Sequence, residues 1–152
     1  ILYYIYIYTM TLIEYHKNDL ISYEIEKFPM FEILYLRLLK SNCNKEESKL
    51  NIDVLETYMK NRAENKKCFY FFYDVEKVSS MFPMSYVYKA VKLFKTHREI
   101  LQKCLIKTFV VNSSSFIIGL SKIIFTFYTP VRPYEFVKNT EEAKEKLFKL
   151  NN

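Results

Sequence analysis

The sequence predicts an α/β domain, in which a mixed, mostly parallel β-sheet begins with an N-terminal β-hairpin and packs against about four helices. Two observations predict this class. Apolar and polar residues alternate near the start of the chain, as in half-buried strands, and later segments with a helical spacing of apolar residues alternate with apolar runs typical of strands. Such alternation of helix and strand produces right-handed crossovers and parallel pairing. The length of 152 residues fits one such domain.

The first elements are predicted from short strand-like segments. Residues 11–15 and 20–25 alternate around a polar break that contains His16, which predicts a hairpin with His16 in its turn. The segment from Phe31 to Leu39 is rich in strand-forming residues and predicts a third strand. Ser41 to Ser48 is polar and contains two Asn residues, so we expect a loop there.

The middle of the chain changes to helical spacing. Leu50 to Asn61 predicts an amphipathic helix, and Met84 to Cys104 predicts one long helix. Cys68 to Val75 lies between them as a continuous apolar run. Such a run is typical of a strand covered on both faces, so we place it in the middle of the sheet.

The remaining elements complete the alternation. Strands are predicted at Leu105 to Val111 and, after a proline-rich break, at Tyr134 to Val137, where the preceding proline requires an edge position or a place at the first residue of the strand. A helix is predicted at Phe116 to Phe127, where Gly119 would mark close packing. Asn139 should cap the last helix, with Glu142 completing a capping box and three residues facing inward: Ala143, Leu147 and Leu150.

Composition excludes several classes of site. Gly119 is the single glycine, so the glycine-rich loops that cradle phosphates in dinucleotide-binding and Walker A proteins are absent. The 23 Lys and Arg residues exceed the 17 Asp and Glu residues to leave a net charge of +6, but the basic residues of the long helix are interpreted as a solvated face. We therefore do not expect nucleic-acid binding.

No catalytic or metal constellation is predicted. His16 and His97 have no ligand spacing between them and are expected to be solvated, and the three Cys residues are too widely spaced for a zinc knuckle or a disulfide framework. Asp74 and Glu76 follow the central strand, where open α/β sheets place ligand sites, but no nucleophile or base accompanies them. We expect a protein without enzymatic activity, cofactor or metal.

Cysteine usage favours a reducing, cytoplasmic compartment. The apolar start, Ile1 to Ile13, is too short for a spanning helix and lacks the basic start and cleavage site of a signal peptide, so no transmembrane segment is predicted. We expect residues 1–9 to be a non-native or disordered extension and residues 10–150 to form a single domain.

Residues 69–78 read Phe-Tyr-Phe-Phe-Tyr-Asp-Val-Glu-Lys-Val, an apolar strand that ends in Asp, and a long helix follows it. Residues 134–143 read Tyr-Glu-Phe-Val-Lys-Asn-Thr-Glu-Glu-Ala, a last strand and the start of a closing helix. These three stretches resemble the STAS family, the domain of anti-sigma factor antagonists and sulfate transporter tails. The resemblance covers residues 11–150 and implies a SpoIIAA-like sandwich that acts as a protein-interaction or regulatory domain.

The loop after Asp74 departs from that family. In the antagonist branch, this loop carries an Asp-Ser-Ser-Gly-type sequence whose Ser is phosphorylated, but here residues 78–85 read Val-Ser-Ser-Met-Phe-Pro-Met-Ser. The acidic neighbour and the Gly are missing, so we expect no usual phospho-serine switch. The remaining candidate phosphoacceptors are Ser79, Ser80 and Ser85, and Ser85 is interpreted first as a helix cap.

The same loop supplies the predicted partner-binding surface. We expect its apolar residues to be exposed and to anchor a protein partner together with the start of the next helix. The residues of this surface are Met81, Phe82, Met84 and Ser85.

A weaker resemblance offers an alternative function. Residues 110–116, Val-Val-Asn-Ser-Ser-Ser-Phe, the apolar helix after them and residues 128–131 are similar to a stretch of the CRAL-TRIO lipid-exchange domain, which is normally longer. The resemblance implies that a lipid or another small hydrophobic ligand binds beneath the helix from Phe116 to Phe127.

Overall fold

The computed structural model describes residues 11–17, 19–112 and 114–150, in which six strands form one sheet and five helices pack against it. The prediction for residues 1–9 lies outside the described residues. The strands are β1 (Thr11–Lys17), β2 (Ile21–Lys27), β3 (Glu32–Leu38), β4 (Phe69–Asp74), β5 (Leu105–Val111) and β6 (Tyr134–Val137). The helices are α1 (Lys45–Glu64), α2 (Met84–Thr96), α3 (Arg98–Cys104), α4 (Ser115–Phe127) and α5 (Thr140–Leu150).

The strands follow one another across the sheet in chain order, from β1 to β6. β1 to β3 form an antiparallel meander, whereas β3 to β6 are parallel, with Leu34 of β3 opposite Phe71 of β4 and Phe72 of β4 opposite Phe109 of β5. The mixed, mostly parallel sheet and the central position of β4 are therefore confirmed, as is the edge position of β6.

Two apolar clusters lie on opposite faces of the sheet. Residues such as Leu34 and Phe71 pack beneath the first four helices, whereas Ile33 and Phe72, their neighbours in sequence, pack with α5. This division follows from the two-residue period of a strand. Both faces of the central strands are consequently buried, although α5 alone among the described helices contributes to the second cluster.

The first helix begins earlier than its apolar period predicts. Asn44 accepts a hydrogen bond from the Glu47 N–H at 2.8 Å, and the Glu47 side chain accepts one from the Asn44 N–H at 3.1 Å. This capping box starts α1 at Lys45, so the expected loop over Ser41 to Ser48 is wrong in its second half. A related cap holds α5, where Asn139 accepts from the Glu142 N–H at 2.9 Å.

The predicted long helix is interrupted at His97, which accounts for five helices instead of four. The His97 side chain is only 12% exposed, and its Nε2 lies 2.8 Å from Glu56 Oε1 on α1. The expectation of a solvated His97 is therefore wrong. His16 is also misplaced by the prediction, because it lies in β1 opposite Tyr23 and not in the turn.

Gly119 lies in α4, but it does not mark close packing. A Cβ atom placed there would meet no atom within 4 Å. The predicted reason for a glycine at this position is wrong, and alanine would be accommodated at a position where glycine costs about 1 kcal/mol of helix stability.

Candidate functional site

An apolar cavity of about 190 Å³ lies between the sheet, α2 and α4. We call it the α2–α4 cavity. The sheet contributes the floor through residues of β4 and β5, and the two helices form the walls. Its central lining residues are Phe71, Tyr73, Thr108, Val110, Tyr86, Val87, Ala90, Val91, Phe94, Ile117, Leu120, Ser121, Ile124 and Phe125. Larger surface grooves occur elsewhere, including one of about 400 Å³ beside α1, but that groove is lined by charged and polar residues such as Asp53 and Arg62.

Helix α4 forms a wall that is apolar on both of its sides. Of its thirteen residues only Ile117 is buried, whereas Phe116, Ile123 and Phe127 are 41%, 54% and 56% exposed. The side facing inward lines the cavity through residues such as Leu120 and Ile124. The helix therefore covers the cavity without being embedded in the core itself.

The inner end of the cavity is polar. Tyr73 and Tyr86 both line it, and their hydroxyl oxygens are 3.2 Å apart. Behind them, Asn51 of α1 is fully buried and its Nδ2 lies 2.5 Å from the Tyr86 hydroxyl. Burial raises the pKa of Tyr73 to about 12 and raises the pKa of Tyr86 as well, so both hydroxyls stay neutral at physiological pH.

The opposite end of the cavity carries a positive charge. Arg132, the single charged residue among the described lining residues, is exposed and donates to the carbonyl oxygen of Gln102. It lies two residues before β6, whose Tyr134 pairs with Thr108 in the middle of β5, whereas Tyr73 pairs with Val110 near the end of β5. The guanidinium and the two tyrosines thus lie toward opposite ends of the parallel strands.

The predicted partner-binding loop is split between surface and core. Met81 and Met84 are 68% and 39% exposed, and Ser85 is also exposed, as expected. Phe82 is only 7% exposed, lines the α2–α4 cavity and meets the Tyr86 ring edge-on at 4.9 Å. The expectation that Phe82 is exposed is wrong, because this ring closes the core between the loop and α2.

The three candidate phosphoacceptors have different surroundings. The Ser79 hydroxyl accepts a hydrogen bond from the Met81 N–H at 3.3 Å, whereas Ser80 and Ser85 are exposed. Ser85 is the second residue of α2, and Pro83 occupies the N-cap position, so the interpretation of Ser85 as a cap is wrong. Phosphorylation at any of the three stays a prediction.

The carboxylates after β4 have structural partners. Asp74 is 8% exposed; its Oδ2 accepts from Arg37 Nε at 2.7 Å and its Oδ1 accepts from the Glu76 N–H at 3.1 Å. The Glu76 side chain is exposed. Asp74 therefore forms an ion pair with Arg37 and accepts a backbone hydrogen bond in the turn after β4, which is a structural role that such a residue often takes.

The remaining sequence candidates stay dispersed. The three Cys residues are free thiols, and burial raises the pKa of the Cys43 and Cys104 thiols, which makes them less reactive. Within the described residues, no three His, Cys, Asp or Glu side chains come together as a metal site would require, and no helix is long and apolar enough to cross a membrane.

The inner end of the cavity was missed by sequence reasoning. Tyr73 was predicted only as part of a strand, Tyr86 was not singled out, and Asn51 was placed in an amphipathic helix without a role. Asn51 lies four residues before Leu55 on the buried face of α1, so helical spacing could have predicted its burial, but that spacing does not reveal its partner. The contact to Tyr86 joins residues 35 positions apart.

An N-terminal meander, parallel strands in chain order and helices on both faces define a STAS-like architecture. One solved structure confirms it: an uncharacterized protein from the DUF3478 family with a SpoIIAA-like fold, from Shewanella loihica PV-4, is similar to this chain with a TM-score of 0.61 and 14% sequence identity. The similarity covers 87% of this chain and 97% of that protein. No protein-family model and no curated protein matches the sequence. The chain therefore has a SpoIIAA-like fold, and the resemblance to the STAS family is confirmed at the level of the fold.

Proposed function

We propose that this chain is a non-enzymatic binding domain that takes a small hydrophobic molecule into the α2–α4 cavity. The apolar cavity of about 190 Å³ beneath α4 is the observation that carries the proposal. An apolar cavity of about 150 Å³ is large enough to bind benzene, and burying apolar surface is favourable by roughly 25 cal/mol per Å². The described lining residues include no carboxylate, histidine, lysine or thiol, which supports binding without chemistry.

The cavity proposal predicts that filling the cavity abolishes binding. Ala90 of α2 lines the cavity, so in Ala90→Phe a ring takes the place of the ligand. Toluene should bind the wild-type chain with a Kd of about 1 mM or lower, equivalent to about 4 kcal/mol, and bind the variant at least tenfold more weakly. Isothermal titration calorimetry measures both values.

The matched control is Tyr88→Ala, which changes a residue that is 56% exposed on the same helix and should leave the toluene affinity unchanged. Thermal unfolding shows whether each variant is folded. Undetectable toluene binding by the folded wild-type chain, or equal affinities in wild type and Ala90→Phe, contradicts the proposal.

A second candidate function is protein binding at two exposed methionines, one in the loop before α2 and one at the first residue of α2, without the usual phospho-serine switch. Met81 is 68% exposed and Met84 is 39% exposed, and both flank the buried Phe82. Methionine side chains adapt to varied partner surfaces, which favours this pair as an anchor. The loop also lacks the acidic neighbour and the Gly of the phosphorylated family sequence.

If this surface binds a protein, a photoreactive group placed in the loop should cross-link to that protein. A photoreactive amino acid at position 81 should capture one discrete protein in cells, and the second change Met84→Asp should reduce the yield several-fold by introducing charge into the apolar contact. Position 30 is the matched control, because Met30 is 77% exposed outside this surface. The same cross-linked species from both positions, or a yield unaffected by Met84→Asp, would exclude a contact specific to this surface.

A further inference from the structure

The polar groups at the inner end of the α2–α4 cavity do not all find hydrogen-bond partners among the described residues. Asn51 is completely buried, and its Oδ1 has no hydrogen-bond partner there. Its Nδ2 donates to the Tyr86 hydroxyl, which in turn shares one hydrogen bond with the Tyr73 hydroxyl. Both tyrosines line the cavity, so this short chain of polar groups leads from the helix α1 to the space where a ligand would lie.

Counting the hydroxyl protons shows which hydrogen-bond partner these three polar side chains lack. Two tyrosine hydroxyls that share one hydrogen bond use one of their two protons, so the other O–H is left to donate elsewhere. Turning the Asn51 amide by 180° lets its oxygen accept that proton, but the buried NH₂ group then has no acceptor. Each arrangement therefore leaves at least one buried donor in need of an acceptor, and an unsatisfied buried polar group is costly.

The charges at the two ends of the cavity decide which acceptor fits. Around Tyr73 and Tyr86, the lining consists of apolar residues, and burial keeps both hydroxyls neutral. Arg132, which would attract an anion, lies toward the other end of the strands. A carboxylate next to the tyrosines would be desolvated without a cation among the described lining residues there, since the Lys89 ammonium in the same region is outside the lining and donates to Ser48 Oγ at 3.3 Å. A neutral oxygen would be accepted.

We infer that the natural ligand is a small amphiphile whose uncharged hydroxyl or carbonyl oxygen accepts a hydrogen bond from the Tyr73–Tyr86 pair while its apolar body fills the α2–α4 cavity. This inference rests on the proposed cavity function. The cavity volume of about 190 Å³ suits a single-ring phenol or a short-chain alcohol. Such a ligand satisfies the remaining tyrosine donor, and its own hydroxyl proton can return to a tyrosine oxygen, which has two lone pairs.

The experiment compares toluene with p-cresol, two ligands that differ by one hydroxyl group. Calorimetric titration of the wild-type chain should give about fivefold to tenfold tighter binding for p-cresol, the effect of one net hydrogen bond. In the double variant Tyr73→Phe with Tyr86→Phe, which removes both hydroxyls, p-cresol should lose this advantage and bind no better than toluene, because burying a hydroxyl without its partner is unfavourable, whereas the toluene affinity should be retained. p-Toluate, the carboxylate analogue, should bind the wild type at least tenfold more weakly than p-cresol.

Ser121→Ala is the control for this comparison. Ser121 also lines the cavity, but its hydroxyl donates to the Ile117 carbonyl oxygen at 2.8 Å within α4, so its removal should leave the p-cresol preference intact. Equal or tighter binding of toluene, tightest binding of p-toluate, or an unchanged preference in the folded double variant Tyr73→Phe with Tyr86→Phe overturns the inference while cavity binding stands. If none of the three ligands binds the wild type, the proposed function itself fails.

Discussion

Replacing Glu32 with alanine is expected to lower the free energy of unfolding by about 3–5 kcal/mol, because it leaves the buried guanidinium of Arg62 without its counter-ion. Glu32 at the start of β3 is 3% exposed and Arg62 near the end of α1 is 7% exposed. Arg62 Nη1 donates to Glu32 Oε2, and the guanidinium lies over the Tyr58 ring at 4.9 Å. The pair therefore joins the first long helix to the sheet inside the core.

The double variant Glu32→Leu with Arg62→Met distinguishes the destabilisation caused by an unpaired buried charge from the net contribution of the ion pair to stability. A buried ion pair is often replaced by apolar residues at little cost, so we expect the double variant to recover most of the stability that Glu32→Ala loses. Urea unfolding of both variants, extrapolated to water, measures the difference.

An exposed ion pair on the same helix supplies the control. Lys49 and Asp53 are 2.7 Å apart with exposed side chains, so Asp53→Ala should leave the free energy of unfolding nearly unchanged. The account of the buried pair is contradicted if Glu32→Ala loses less than about 1 kcal/mol, or if the double variant is less stable than the single one.

The fold was largely predictable because its elements have clear periods. The continuous apolar run of β4 predicts burial on both faces, and the structure places its Phe71 and Phe72 in separate clusters on the two sides of the sheet. The helix boundaries were less accurate because their determinants are not apolar. Asn44 and Glu47 start α1 through a capping box before the apolar spacing begins, and His97 interrupts the next helix where its side chain meets Glu56.

The candidate site was less predictable than the fold, since its groups are distant in sequence. The loop before α2 has no regular spacing of apolar residues that would predict which side chains are buried. From the sequence, Met81 and Phe82 are therefore both expected to be exposed, although Met81 is 68% exposed and Phe82 only 7% exposed. Asn51 meets Tyr86 only because α1 and α2 pack against the same face of the sheet. The resemblance to the CRAL-TRIO domain implies, as an alternative, a ligand beneath the helix from Phe116 to Phe127, and the cavity does lie beneath α4.

Truncating Phe72 and truncating Phe71 should have different consequences, although the two residues are adjacent in β4. Phe72 is 1% exposed and contacts the rings of Tyr35 and Phe109 at 5.0 Å and 5.1 Å, on the face that packs with α5. Phe72→Ala should therefore cost about 3–5 kcal/mol of stability through lost burial and a new void. That loss is a large part of the roughly 5–15 kcal/mol that stabilises a typical domain.

Phe71 faces the opposite way, lines the α2–α4 cavity and stacks on Tyr73 at 5.3 Å. Phe71→Ala should enlarge the cavity, so that naphthalene gains affinity relative to toluene by at least tenfold. Phe72→Ala should leave the ratio of the two affinities unchanged once binding is corrected for the folded fraction. Urea unfolding measures the stabilities, and calorimetric titration measures the ligand preferences.

The two variants together test whether the ligand is held on one face of the sheet. Because successive side chains of a strand point to opposite faces, a cavity confined to the face of α2 and α4 can respond to Phe71 and not to Phe72. A shift in size preference in Phe72→Ala, or none in folded Phe71→Ala, would mean that ligands bind outside the cavity bounded by Phe71, Ala90 and Leu120. A shift confined to Phe71→Ala would instead link the ligand to the face of the sheet that carries Tyr73.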